Sequence, residues 1–249
     1  MYNLEITKYY NSKSDIHNMN PLYKVICILI TTVMILLIKE LELLLIMLMF
    51  EGCMMILSNV PLRLYFKSIK YVISIIIFIF VINLIFNIST INSINSSLKL
   101  ILFILNSGVL IYTTKSSDLL YGLEMLFSPL KIFNVPVNSL SLSISLAIRF
   151  IPIIFEQANK VLKSQISRGL NSNGTIREKC DKLISILFPI FMLSFKRSDS
   201  IADALDLRLY NPNINRTKYK RYKITSVDDG ILLMHIALII IYIISEVVV

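Results

Sequence analysis

Residues 71–88 read YVISIIIFIFVINLIFNI, eighteen consecutive positions without a charge. Crossing the hydrocarbon core of a bilayer takes about 20 apolar residues, with a range of about 17–25, so this stretch reads as a membrane span. Working outward, Leu22–Ile38, Leu41–Leu57, Leu98–Thr114 and Gly230–Ser245 have the same character. Together they predict an all-α polytopic membrane protein with about five transmembrane helices, because a helix satisfies its own backbone hydrogen bonds in lipid. Lys39, Glu40 and Glu42 separate the first two spans and predict a tight helical hairpin. Asn92–Ser97 predicts a short uncharged polar loop between the third and fourth.

Composition agrees. Hydrophobic residues make up 55% of the 249 and only 16% are charged, whereas a soluble domain carries about a quarter charged. The net charge of +9 would suggest nucleic acid on a soluble protein. Here it follows from the gathering of basic residues on the cytoplasmic side of membrane proteins, and no nucleic-acid partner is expected. With the N-terminus placed in the cytoplasm, twenty-three of the twenty-five Lys and Arg fall inside and only Lys39 and Lys99 outside. The expected topology is therefore a cytoplasmic N-terminus, a cytoplasmic Lys115–Lys223 and an external C-terminus. The polar N-terminal residues lack a basic region followed by an apolar run, so no cleavable signal peptide is expected.

Three segments follow: 1–114 with a lead-in and four spans, 115–225 as a cytoplasmic domain of amphipathic helices, and 226–249 with the last span. Ser139–Phe155 and Leu183–Phe195 are apolar enough to suggest further spans. Arg149 and Pro152 interrupt the first, and the second is thirteen residues long. If both crossed, Lys160, Lys163, Arg168, Arg177, Lys179 and Lys182 would lie outside, against the charge rule. Both are expected to be partly embedded helices of the cytoplasmic domain.

Within that domain, Ile154, Ala158, Val161, Leu162 and Ile166 recur at i, i+4, i+7, i+8 and i+12, the period of an amphipathic helix. It ends in Ser167-Arg168-Gly169, where glycine supplies a left-handed cap and arginine suits the negative end of the helix dipole. A second helix carries Ile201, Leu205 and Leu209 on its apolar stripe, with Asp199, Asp203 and Asp206 off it. It runs into Leu207-Arg208-Leu209, with Pro212 as the expected stop. A lone Arg-Gly at a helix end is usually just a cap. Two arginine-terminated helices in the most basic part of a chain without catalytic motifs point instead to docking, with a partner engaging each arginine by charge-assisted bonds.

These residues carry a resemblance. Ala147-Ile148-Arg149-Phe150-Ile151-Pro152, Glu156, Ala158 and Ser167-Arg168-Gly169 resemble the coupling segment of the T components of energy-coupling-factor transporters. Ser128-Pro129-Leu130-Lys131 and Val135-Pro136 also resemble that family. Ser14 through Lys24 is similar to its S-x-L-H-x-L-D-P-R-x-K lead into the first helix, and Phe195 through Tyr210 to its second coupling helix. The resemblance covers nearly the whole chain. It implies a non-catalytic subunit of an ATP-driven importer of vitamins or metal ions such as cobalt. In that family two arginine motifs dock into a pair of cytoplasmic ABC-type ATPases, and the same protein holds a small membrane substrate-binding subunit. It implies docking roles for Ser167, Arg168, Gly169, Leu207, Arg208 and Leu209, and supporting roles for Arg149, Pro152 and Glu156. The family's second motif is normally Ala-Arg-Gly; here it is Leu-Arg-Leu. Leucine takes φ > 0 at a cost of roughly 1–2 kcal/mol. Leu209 is therefore expected to stay on the apolar stripe and pack against a partner or the adjoining helix. In the lead-in, Asn20 and Leu22 replace Asp and Arg.

Other candidates are weaker. Glu51 lies within the second span and is expected to sit near an interface and pair with a basic residue. Asn83, Asn87 and Asn106 suit inter-helix hydrogen bonds. His17 is expected to cap or pack in the lead-in, and His235 has no companion for a metal site. Neither a Cys/His cluster nor a phosphate-binding G-x-x-x-x-G-K-[ST] loop is present, so no metal, cofactor or intrinsic ATPase activity is expected. The rival readings are a conventional ABC-type permease, which couples through one short helix, and a membrane assembly scaffold without transport coupling. An embedded enzyme lacks the paired carboxylates or histidine cluster it would need.

Overall fold

The computed structural model describes residues 9–87, 89–133, 136–168, 176–211, 222 and 224–248, and among these the regular structure is entirely helical. Ser14 opens the short helix α1 (Asp15–Asn18), its hydroxyl accepting from the His17 amide. Asn20 then caps α2 (Pro21–Leu37), accepting from the Leu22 amide at 3.0 Å. Pro21 sits where a missing N–H costs nothing. Helix α3 (Leu41–Leu57) follows after three residues, the expected hairpin. At 1.5 Å per residue, α2 and α3 are each about 25 Å long.

Helices α4 (Leu62–Ile85) and α5 (Thr90–Thr113) are longer than the sequence suggested. Asn92–Ser97 lies within the opening turns of α5 and is not a loop. Ser89 caps the helix, and two of its polar residues face inward: Ser93 and Asn95 are buried, and Asn95 Nδ2 donates to the Lys39 carbonyl at 2.9 Å. The turns at Asn59 and Asn87 take φ of 52° and 54°, a conformation asparagine tolerates better than most residues. Helix α6 (Ser116–Phe127) lies against α2 so closely that a Cβ on Gly122 would come within 2.7 Å of the Pro21 carbonyl oxygen. A short 3-10 helix spans Ser128–Phe133.

The next two elements correct the sequence reading. Ser139–Phe155 and the amphipathic stretch from Ile154 are one continuous helix, α7 (Val137–Ser167), with Pro152 inside it. Leu183–Phe195 and the second arginine-terminated stretch likewise form one helix, α8 (Ile176–Leu207), with Pro189 inside. An internal proline deletes one backbone hydrogen bond, and over thirty-odd residues the remaining bonds carry the helix through. The last helix is α9 (Ser226–Val248). Among the described residues, four helices are long and apolar enough to cross a membrane: α4, α5, Ser139–Ser167 within α7, and Ser226–Ser245 within α9.

The chain forms two compact units, Met1–Pro129 with Lys220–Val249, and Leu130–Tyr219. The first unit has two apolar clusters. One centres on Ile16, Met54, Tyr65, Tyr112 and Ile231, the other on Ile35, Leu44, Met47, Leu102 and Leu238. Tyr65 and Tyr112 meet edge to face at 5.2 Å, and the Tyr112 hydroxyl shares a 2.6 Å hydrogen bond with Ser68, tying α5 to α4. The outward face of α4 is apolar and exposed, with Tyr71 72% and Phe78 63% accessible. Such a face is tenable in lipid or against another membrane subunit.

Candidate functional site: two arginine-bearing helix ends and the lead-in

In the second unit, α7 and α8 pack together. Their half-buried positions form facing stripes, with Phe150, Ile153 and Gln157 on α7 and Ile190, Arg197 and Ile201 on α8. The Arg197 guanidinium stands over the Phe150 ring, 5.6 Å from its centre. Arg149, Pro152 and Glu156 all lie on the exposed side of α7, so none of the three is committed to the α7–α8 contact.

The α7 terminus is compact and polar. Ser167 Oγ donates back to the Lys163 carbonyl at 3.1 Å. The Arg168 amide is shared between the Ser164 and Gln165 carbonyls at 3.2 and 3.1 Å. Arg168 is the cap residue, at φ −88° and ψ 9°, and its side chain is exposed. Gly169 lies outside the described residues.

The α8 terminus is different in kind. The Tyr210 amide reaches the Leu205 carbonyl at 3.0 Å, and the Leu209 amide reaches Asp206 at 2.9 Å. This pair of bonds is the Schellman motif, which requires a left-handed residue at Leu209. Leu209 supplies it with φ 53°. The expectation that Leu209 would stay on the apolar stripe is therefore overturned: the chain turns away before it, and Leu209 is 87% exposed beside Leu207 at 86%. Ile201 and Leu205 do form the stripe, while Asp199, Asp203 and Asp206 are exposed as expected. The cause is the unsatisfied carbonyls at the end of α8, whose capping outweighs a steric cost of roughly 1–2 kcal/mol. The helix ends here without reaching Asn211; Pro212 lies outside the described residues.

The lead-in forms a second polar constellation, in the first unit. Ser14 Oγ is 2.7 Å from His17 Nδ1, and His17 Nε2 donates to the Tyr10 carbonyl at 2.9 Å. His17 thus caps and packs, as expected. Burial, reinforced by the nearby Lys24 ammonium, lowers its pKa below the ordinary 6.5. Lys24 is buried and donates to the carbonyls of His17 and Thr113, each at 3.2 Å. Asp228, fully buried, accepts from the Asn20 amide at 2.9 Å and from the Thr225 amide and hydroxyl at 2.8 and 3.0 Å. One carboxylate therefore caps α9 and anchors the start of α2. The sequence reading missed Asp228 because the last span was started at Gly230. An acid immediately before an apolar run was the available signal.

Glu51 also departs from expectation. It is 2% exposed inside the bundle and makes no hydrogen bond or ion pair with another described residue. Asn106, by contrast, does bridge helices, donating to the Ile28 carbonyl and to Thr32 Oγ1 at 3.3 and 3.0 Å. No group of three or more potential metal ligands occurs among the described residues.

The CbiQ family of cobalt transport proteins matches residues 12–219. A protein of Ruminiclostridium cellulolyticum named energy-coupling factor transporter transmembrane protein EcfT is 30% identical over 241 residues, 90% of each chain. Proteins of the same name from Bacillus subtilis and Limosilactobacillus fermentum are 29% and 31% identical, over 96% and 84% of each chain.

Proposed function

The chain belongs to the CbiQ family of cobalt transport proteins, and from that premise we propose that its two arginine-bearing helix ends dock a pair of cytoplasmic ABC-type ATPases. It is the transmembrane component of an energy-coupling factor transporter, a non-catalytic subunit in a multi-pass membrane setting. The ATPases supply the energy, and a small membrane subunit that binds a vitamin or metal ion receives it through α7 and α8. Ser167, Arg168 and Gly169 form one docking end; Leu207, Arg208 and Leu209 form the other. Arg149, Pro152 and Glu156 support coupling from the exposed side of α7.

The observation that carries this reading is the α8 terminus. Two leucines more than 85% exposed flank an exposed arginine, and one of them is held in a strained backbone conformation. A partner groove that takes the leucines and pairs the arginine offsets both the exposure and the strain. The test is copurification in mild detergent. Truncating one partner of a buried charge pair costs about 2–5 kcal/mol, or some 30- to several-thousand-fold in affinity. Arg168→Ala is expected to lose ATPase subunits while the protein still inserts. Arg168→Lys is expected to rescue only in part, because a point charge does not reproduce a planar fork. Undiminished ATPase recovery with Arg168→Ala rejects the docking role.

The segment 115–225 is placed in the cytoplasm, with the N-terminus inside and the C-terminus outside. The support is the twenty-three to two division of basic residues, which applies to α7 as well, although its Ser139–Ser167 stretch is long enough to cross. Cysteines introduced at Ser96, Arg177 and Val249 separate the cases. An impermeant thiol reagent applied outside is expected to label the first and third. Labelling at position 177 overturns the placement.

A further inference from the structure

Glu51 faces a problem that the first unit solves for every other buried charge described in it. Lys24 is held by two carbonyls and Asp228 by three donors. The Glu51 carboxyl, equally buried, has no partner among the described residues. Buried polar groups in native proteins are almost always hydrogen-bonded, to protein or to an ordered water.

The same place contains a cavity of about 20 Å³ lined by Glu51, His235, Asn106 and Lys24 amid apolar side chains. A water molecule needs roughly 10–15 Å³ by this measure, so there is room for one. The lining is mostly apolar, with these polar residues set into it. His235 is 2% exposed, and its Nδ1 lies 2.7 Å from the Ile231 carbonyl. A carbonyl only accepts, so Nδ1 carries the hydrogen, and Nε2 of the neutral ring is left as an acceptor. Asn106 uses its Nδ2 as donor to Ile28 and Thr32, which leaves Oδ1 to accept. The residues that line this water-sized space thus carry two free acceptors and an unpartnered carboxyl, within the two to four polar partners a buried water requires.

We propose that this cavity is a binding site for one water molecule, held by the Glu51 carboxyl and by His235 Nε2, with Asn106 Oδ1 as its third neighbour. The water joins α3, α5 and α9 at a point where no direct side-chain bond does. It also gives the acid in the second span a role: Glu51 is a water ligand.

The test is infrared difference spectroscopy of the full-length protein in lipid, exchanged between ordinary and oxygen-18 water. The wild-type protein is expected to show an isotope-shifted O–H stretch from an internal water. Glu51→Leu, similar in size and without a hydrogen-bonding group, is expected to lose that band. Glu51→Gln is expected to keep it at a changed frequency, and His235→Phe to shift it as well. The proposal is overturned if the wild-type protein has no such band, or if the band is unchanged in Glu51→Leu. Should Glu51→Leu fail to fold, Glu51→Gln decides: an unshifted band there overturns the site.

Discussion

The two compact units of this chain are stabilised in opposite ways. In the first, apolar side chains from α1, α2, α3, α5 and α9 close over one another, and the charges of Lys24 and Asp228 are buried with their partners. In the second, α7 and α8 are each over thirty residues long, yet Val137 is the only described residue there that is buried and apolar. Phe188, Phe191 and Phe195 on α8 are each 60% exposed or more. A pair of helices that shows this much apolar surface is completed from outside, by lipid or by protein. The first unit carries its own core; the second is shaped to be covered.

The largest expected effect tests the self-sufficiency of the first unit. Asp228→Ala strands the buried Asn20 amide and removes the partner of both Thr225 donors. Leaving a buried donor unsatisfied costs about 1–3 kcal/mol. The expected result is a marked fall in thermal stability in detergent, with Asp228→Asn recovering part of it. A melting temperature unchanged in Asp228→Ala would show that the first unit does not depend on this tie.

A smaller effect of the opposite sign is expected in the second unit. Leu209→Gly removes the left-handed strain at the α8 cap, a gain of about 1 kcal/mol, and restores the glycine usual in the family. Stability is therefore expected to hold or rise slightly, while ATPase retention falls because an exposed anchor is gone. Copurification and melting measured on the same preparation check both halves. If retention is untouched, Leu209 contributes no contact.

These two variants also mark what could be read from the sequence. The apolar runs announced the helices and the α2–α3 hairpin, since a span of this length has few alternatives. The polar run Asn92–Ser97 suggests a loop, whereas Ser93 and Asn95 are buried in a helix and Asn95 bonds to the Lys39 carbonyl. Pro152 reads as an interruption in the sequence, although a long helix survives the loss of one bond. Arg168 and Arg208 were found because helix ends have sequence signatures. The conformation of Leu209 was not, because the demand of terminal carbonyls on a backbone is decided by three-dimensional closure and not by the preference of one residue. Asp228 is legible as an acid before an apolar run, but its bond to Asn20 and the burial of Glu51 are not, because both depend on residues far away in the chain.

The smallest effect is on the lead-in. His17 has a pKa below 6.5 in the folded protein, through burial first and the Lys24 ammonium second. Its neutral form is thus favoured by folding, and the unfolded chain binds the proton more readily. The stabilisation is fully present above pH 6.5 and is lost as pH falls through the folded value. Mild acid is expected to lower the melting temperature of the wild-type protein slightly more than that of His17→Gln. Parallel pH profiles for the two would remove His17 from the account.

The hydrogen bond between Asn20 and Asp228 spans 208 positions of sequence. During synthesis, residue 20 emerges long before its partner exists. At about 5–20 residues per second, the interval is roughly 10–40 s. Through that time the Asn20 amide is without this partner. The tie that closes the first unit is consequently a late event of biogenesis, and it forms after the helices between its two ends have been delivered. A ribosome that stalls before residue 228 would leave a chain whose first helix is inserted but not yet fastened, a natural target for membrane quality-control proteases.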